Sequence, residues 1–402
     1  MKTVKGGVCA PKGFLAAGID CGIRKNGKKD LALIVSQKEA AAAGVFTKNL
    51  VKGAPIIVSQ KHLKSGYARA IIANSGNANT CNDNGLEIAE GMCELVEKLT
   101  DIPSNNVLVA STGVIGQKLS LAPIENGMPD LIDSLGQNSD DAATAIMTTD
   151  TYKKEAAVEM ILDGKTVRIG AIAKGSGMIH PDMATMLVFV TTDAVISPAL
   201  LQKALLFAIE DSFHMISIDR DTSTNDTVFV LANGLAENKP IIEEDADFEL
   251  FKTALLDLFL LLSRSIAKDG EGASKLLECQ VTGAKIKSDA AKIAKSVICS
   301  PLFKCAMFGA DANWGRVLCA IGYAGAQVDI GKIEVSFQSS AGEIDVCKNG
   351  EGLEFSEELA KSILSQDEII IKIALNDGTE SATAFGCDLS YDYVKINGDY
   401  RS

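Results

Sequence analysis

Histidine is scarce in this chain, three in 402 residues, and so is proline, nine against 35 glycines. With so little proline and no short repeat, a collagen-like or low-complexity chain is excluded. His62, His180 and His214 stand far apart and no G-x-S-x-G elbow is present, so a Ser/His/Asp triad lacks its sequence frame. H-E-x-x-H is missing too, and a Walker A loop fails because Glu159 stands where the first glycine should precede Gly164-Lys165-Thr166. No apolar run reaches the roughly 18–20 residues of a membrane span; the strongest, 254–263, carries Asp257 and reads as a buried helix. Lys2 and Lys5 are not followed by an apolar stretch, so no secretory signal is expected and the chain is read as cytoplasmic. Ten cysteines from Cys9 to Cys387 form no C-x-x-C pair and are expected to be reduced core residues, not a disulfide framework. An excess of positive charge is also lacking. The balance is 39 Lys and Arg against 52 Asp and Glu, a net charge of −13, which disfavours nucleic acid or an anionic membrane and favours a small-molecule substrate.

What is present describes a globular α/β or α+β chain, 47% hydrophobic and 23% charged, long enough for a substantial core. No linker interrupts it, so two closely packed domains are expected. Strands are predicted at 69–74, 107–110, 166–173, 186–192, 227–232, 333–337 and 368–375, and helices at 88–99, 198–211, 248–266, 314–323 and 357–364. In the helix at 88–99, Ile88, Met92, Leu95, Val96 and Leu99 share one face. Such alternation favours sheets covered by helices.

Two polar stretches invite a chemical reading. Asp219-Arg220-Asp221-Thr222-Ser223-Thr224-Asn225 superficially resembles an oxygen-ligand loop, but it has neither the glycine nor the terminal glutamate of an EF-hand and reads as a solvated or capping turn. In the segment 174–190 a glycine-containing loop enters an apolar strand, with Thr185 behind the small residue Ala184. A threonine opening a strand is ordinarily there for β propensity. Its hydroxyl becomes a useful nucleophile without histidine when its own α-amino group serves as the base, which requires the Ala184–Thr185 bond to be cut.

The run Lys174-Gly-Ser-Gly-Met-Ile-His-Pro-Asp-Met-Ala-Thr185-Met-Leu187 resembles the cleavage motif of the ornithine acetyltransferase (glutamate N-acetyltransferase) family, the arginine biosynthesis bifunctional proteins. Further stretches fall in the expected order: Asn74-Ser-Gly-Asn-Ala-Asn79, Ser111-Thr-Gly-Val-Ile-Gly116, Met147-Thr-Thr-Asp-Thr151, Asp269-Gly-Glu-Gly-Ala273, Gly309-Ala-Asp-Ala-Asn-Trp-Gly-Arg316 and the tail from Tyr393 to Ser402. The resemblance implies a four-layer αββα sandwich like that of N-terminal-nucleophile hydrolases, with a smaller C-terminal α/β portion. It implies self-cleavage into an α chain, residues 1–184, and a β chain, residues 185–402, assembled as α2β2. Thr185 would then take acetyl from N-acetylornithine and pass it to glutamate, in ping-pong order.

By the same resemblance, Thr112 through its hydroxyl and Gly113 through its N–H form the oxyanion hole. Thr148, Lys174, Thr185, Glu271, Asn397 and Ser402 contact substrate. A lysine or hydroxyls suit the carboxylate of an amino acid, and Glu271 suits the ornithine amine. No metal or cofactor is implied; acetyl-CoA is a second acetyl donor for some members. Thr80, Asn82-Asp83, Cys305 and Ala312 depart from the family pattern, but none touches the nucleophile or the oxyanion pair, and His180 and Asp182 receive no role. Two other readings stand beside this one: a self-processing aminopeptidase or amidohydrolase of the same architecture, and an uncleaved amino-acid-binding protein.

Overall fold

The computed structural model describes residues 1–180 and 186–398. Among these residues the strands form two sheets, one of nine strands and one of seven. In the larger sheet the order runs Lys2–Val4, Lys154–Leu162, Lys165–Lys174, Leu187–Thr192, Thr227–Ala232, Leu31–Phe46, Tyr67–Asn74, Val107–Ser111, with Phe14–Ile19 also paired to Leu31–Phe46. The 16-residue strand Leu31–Phe46 makes this one sheet serve as two layers. Its register against Tyr67–Asn74 shifts between Val35 and Ala40, and its two ends pair with different neighbours: Phe14–Ile19 at the start, Thr227–Ala232 at the finish.

Alternation along the strands then sorts side chains into three cores. Ile169, Ala171, Val188, Val190, Val228 and Val230 face the helices Pro198–Glu210 and Ala246–Lys268. Ile172, Leu187, Phe189, Phe229 and Leu231 point the other way, where they meet Phe14, Ile34, Ile71 and Leu108 from the second half of the sheet. Leu33, Ile72, Val107 and Val109 cover the far side of that half and pack on Met92, Val96 and Met128 of the helices Gly85–Leu99 and Ala122–Asp133. The resulting layers are helix, sheet, sheet, helix, the αββα arrangement expected. Leu187–Thr192 and Thr227–Ala232 are buried along their whole length, which explains their nearly unbroken apolar sequence.

The C-terminal portion has its own core. Leu276–Ala284, Glu334–Ser339, Glu368–Ala374 and Glu380–Cys387 carry Val281, Phe337, Ile371 and Ala384 into contact with Ile293, Val297, Phe303 and Val317 of the covering helices. The two-residue strand Ile216–Ser217 leaves the first unit to pair with Phe385 and Gly386, stitching the two together. No helix among the described residues is long and apolar enough to cross a membrane.

Two local expectations change. Leu99 lies at the end of Gly85–Leu99 and is exposed, so the helix's apolar face ends at Val96. All ten cysteines are free, but only Cys9, Cys93, Cys279, Cys347 and Cys387 are buried; Cys81, Cys305 and Cys319 are exposed. The portions upstream and downstream of Thr185 are not separate packing units. Leu187–Thr192 and Thr227–Ala232, both downstream of Thr185, lie between Lys165–Lys174 and Leu31–Phe46, both upstream of it.

Candidate active site

The site gathers at one end of the two sheet halves. Lys165–Lys174 delivers Lys174 as its last residue, and Thr112 and Gly113 follow the strand Val107–Ser111 in the facing half. The Lys174 ammonium donates to the Thr112 hydroxyl at 3.2 Å, a buried contact between residues 62 apart in sequence. A hydroxyl has one proton to give and two lone pairs to receive. With Lys174 donating to that oxygen, the Thr112 proton is left to point at another acceptor.

Gly113 has φ +133°, and a Cβ there would sit 2.3 Å from the Gly76 carbonyl carbon and 2.5 Å from the Asn77 nitrogen. Only glycine fits. The Thr112 and Val114 N–H groups bond to the Asn74 and Gly76 carbonyls, whereas the Gly113 N–H finds no partner among the described residues. A small polar cavity of about 30 Å³ lies here, lined by Thr112, Lys174, Gly177, Met186, Leu187, Ser223, Asn225 and Asp226. Met186 is the residue covalently next to Thr185. Thr185 itself lies outside the described residues, as do Ala184 and Ser402.

A buried charge cluster supports Lys174 from behind. Lys154 donates to Asp150 at 2.7 Å and to Asp269 at 2.5 Å, all three side chains being almost wholly out of solvent. Asp150 also accepts the N–H of Gly175 at 2.8 Å and of Thr148 at 3.0 Å. Burial opposes charge on Asp150, but the Lys154 and Lys174 ammonium groups and these hydrogen bonds outweigh it and hold the carboxyl down to about 2. Burial pulls the Lys174 amine below the ordinary lysine range, and Asp150 counteracts that pull. Thr148 thus joins the cluster through its N–H, and the Arg24 guanidinium fixes its neighbour by donating to the Met147 carbonyl at 2.9 Å.

Glu271 enters from the loop after Ala246–Lys268. Its N–H bonds to the Ser176 carbonyl at 2.8 Å, and its carboxylate accepts from the Asn397 amide at 2.7 Å. A Cβ on Gly177 would lie 2.3 to 2.4 Å from that carboxylate, so the absence of a side chain there makes room for it. The C-terminal helix Tyr391–Asn397 is held down by the Ser390 hydroxyl, which donates to the Gly272 carbonyl at 2.5 Å. Thr112, Gly113, Thr148, Lys174, Glu271 and Asn397 are thereby brought to one region.

Sequence reading missed the members that organise it. Asn225, assigned above to a turn, is buried: its amide donates to the Ala78 carbonyl at 2.5 Å and the Ser111 carbonyl at 2.9 Å, and its oxygen accepts from the Thr80 and Thr224 hydroxyls. It therefore fixes the strand end that carries Thr112. Asp150, Lys154 and Asp269 fell inside or beside quoted motifs without a role; a lysine and two acids in otherwise apolar surroundings are a faint signal until the fold brings them together.

Comparison with known proteins agrees with this geometry. The ArgJ family profile matches residues 15–402. The arginine biosynthesis bifunctional protein ArgJ 1 of Clostridium acetobutylicum is 52% identical over 391 residues, covering 97% of this chain and 96% of its own length. ArgJ of Bacillus subtilis is 47% identical over 401 residues, 99% of this chain and 97% of that one. The crystal structure of arginine biosynthesis bifunctional protein argJ from Bacillus halodurans is 46% identical with a TM-score of 0.51, covering 53% of this chain and 99% of that chain. With the αββα layers, the glycine-bordered cavity and matches over nearly its whole length in agreement, this chain belongs to the ArgJ family.

Proposed function

We propose that this protein cuts itself between Ala184 and Thr185 and then transfers acetyl from N2-acetyl-L-ornithine to L-glutamate, the cyclic step of arginine biosynthesis. The observation that carries the reading is the cavity in which Met186, the neighbour of Thr185 in sequence, meets Thr112 and Lys174. In the precursor the Thr185 hydroxyl attacks the Ala184 carbonyl, and the C–N bond breaks as its nitrogen takes the proton. Water then splits the ester, leaving an Ala184 carboxylate and a free Thr185 α-amino group. The solved relative from Bacillus halodurans supports a cut of this kind: 99% of its chain aligns with only 53% of this one, close to the share held by the 218 residues from 185 to 402.

In the mature enzyme the α-amino group of Thr185 accepts the hydroxyl proton as the oxygen attacks the acetyl carbonyl. The Gly113 N–H and the Thr112 hydroxyl, its proton freed by Lys174, receive the negative charge that develops. Collapse returns the proton to the departing ornithine amine, and the glutamate amine later attacks the acetyl ester by the same path in reverse. Thr148, Lys174, Thr185, Glu271, Asn397 and Ser402 hold the amino-acid substrates, Glu271 facing the cationic amine. No cofactor is needed for this cycle. Because relatives carry the name bifunctional, acetyl-CoA is proposed as a second donor for making N-acetylglutamate. The working assembly is proposed as α2β2 in the cytoplasm.

Denaturing intact-mass spectrometry tests the first step. Two species of roughly 19 and 23 kDa, apportioned by residue number from 42.4 kDa, with the second beginning at Thr185, are expected. Thr185→Ala should remain a single inactive chain, and a cut, active variant would overturn the reading. Formation of N-acetylglutamate from N-acetylornithine and glutamate tests the second step; free acetate as the sole product would make the protein an amidohydrolase, and ornithine binding without turnover by an intact chain would make it a binding protein.

A further inference from the structure

The segment 217–222 has no part in the chemistry above, yet it grips the residues leading into the scissile bond. One Asp219 carboxylate oxygen accepts the Met178 N–H at 2.6 Å, and the other accepts the Ile179 N–H at 2.9 Å. Beside it the Ile218 N–H donates to the Ile179 carbonyl at 2.7 Å, and the Thr222 hydroxyl donates to the His180 carbonyl at 2.9 Å. The His180 ring lies 3.1 Å from the Ser217 hydroxyl. Three consecutive residues, 178–180, are thus held along their length immediately before residues 181–185.

The grip explains an unusual backbone. Met178 has φ +55°, a left-handed conformation that a non-glycine residue adopts only when its surroundings require it. The residue is 42% exposed, so packing does not impose the conformation. A carboxylate receiving two adjacent backbone N–H groups does, because both hydrogen bonds are charge-assisted. Asp219 is itself anchored by the Asp221 N–H, which it accepts at 3.1 Å, and burial followed by the nearby Asp219 charge pushes the Tyr393 phenol of the C-terminal helix above its ordinary range. The Lys304 ammonium pins the adjacent Ile218 carbonyl at 2.7 Å.

We propose that Asp219 is a positioning residue for self-cleavage, fixing where and in which direction the chain enters the scissile segment. After the cut the same hydrogen bonds keep residues 178–180 docked. The inference rests on the self-cleavage reading given above. Asparagine at 219 offers one acceptor oxygen in place of two and turns an NH2 donor toward the second N–H; alanine offers none.

The test follows the uncut fraction of the full-length chain by denaturing intact-mass spectrometry at successive times after cell-free synthesis. Asp219→Asn should slow cleavage at least about tenfold and Asp219→Ala further, with Asp219→Glu recovering part of the rate. Thermal melting of Thr185→Ala and of Thr185→Ala/Asp219→Asn, both uncut, supplies the structural control, and the two should melt alike. Cleavage of Asp219→Asn at the wild-type rate would overturn the proposal. So would slow cleavage accompanied by an equally impaired melting temperature in the uncut double variant, since that is general loss of structure. A wild-type chain that never cleaves would instead remove the self-cleavage reading itself.

Discussion

Charge is buried for different ends in the two units. In the αββα unit Lys154 bridges Asp150 and Asp269 behind a cavity that Lys174 lines, while Asp150 holds the Gly175 N–H and Lys174 the Thr112 hydroxyl at its edge. The interior of the C-terminal unit is a continuous apolar cluster of Val281, Ile293, Val297, Phe303, Phe337 and Ile371, and its ion pairs sit outside, as where Lys285 and Lys332 share Asp377. Its buried charged groups Lys275, Lys304 and Asp388 lie toward the seam, where Lys304 reaches Ile218 and Asp388 holds the N–H of Ser274, while buried Asp289 accepts the Gln327 N–H and pairs with half-exposed Lys292. Apolar packing is sufficient to hold an α/β unit together, and a buried ion cluster is weak evidence of a stabilising role. Its concentration at the ends of strands from both sheet halves therefore marks the place where geometry serves chemistry.

Substitutions can break or sharpen that contrast. The largest effect is expected of Asp150→Asn, which leaves Lys154 and Lys174 without their shared carboxylate. Loss of roughly 3–5 kcal/mol in urea unfolding is expected for breaking a buried pair, and an unchanged midpoint would contradict the cluster's tight coupling. Thr112→Ala should lower kcat by about 10²–10³ if its hydroxyl receives the oxyanion, with the melting temperature nearly unchanged. Next comes pH. Because the folded-state pKa of Asp150 is held down to about 2 from 3.8, the stability it contributes is fully present above 3.8 and is lost as pH falls toward 2. The pH dependence of urea midpoints should show this loss, about 2 kcal/mol, in wild type and not in Asp150→Asn.

Gly177→Ala is smaller still. Its methyl group would displace the Glu271 carboxylate, raising KM for N-acetylornithine several-fold while kcat moves less. At the far end of the scale, Asp377→Asn in the C-terminal unit should leave both turnover and the urea midpoint as they were, because exposed pairs contribute little. A large effect there would erase the distinction between the units.

Much of the fold could be read from periodicity. Thr227–Ala232 and Glu357–Leu364 fall where the pattern puts them, and Pro198–Glu210 and Lys165–Lys174 agree to within a residue at either end. The strand that makes one sheet into two layers could not. Leu31–Phe46 carries four alanines in succession, 40–43, and alanine favours helix; only pairing on both sides holds it extended. The site divides the same way. Thr112, Gly113, Lys174 and Glu271 were reached through motif resemblance, because each is an ordinary residue type in an ordinary local setting. Asn225 and Asp219 read as turn formers because asparagine and aspartate usually are. Their actual partners, Ala78 and Ser111 for one and Met178 and Ile179 for the other, lie 40 to 147 positions away and become neighbours only in three dimensions.

The strand order has a last implication for what the proposed cut can and cannot release. With Leu187–Thr192 and Thr227–Ala232 inserted between strands encoded upstream of Thr185, the two polypeptides are interlocked like the fingers of clasped hands. Separating them would strip hydrogen bonds from both edges of the inserted pair at once, so the proposed nick would free a chain end without freeing a subunit. On the proposed cut, each molecule would keep the two halves it was synthesised with and would not trade them with another.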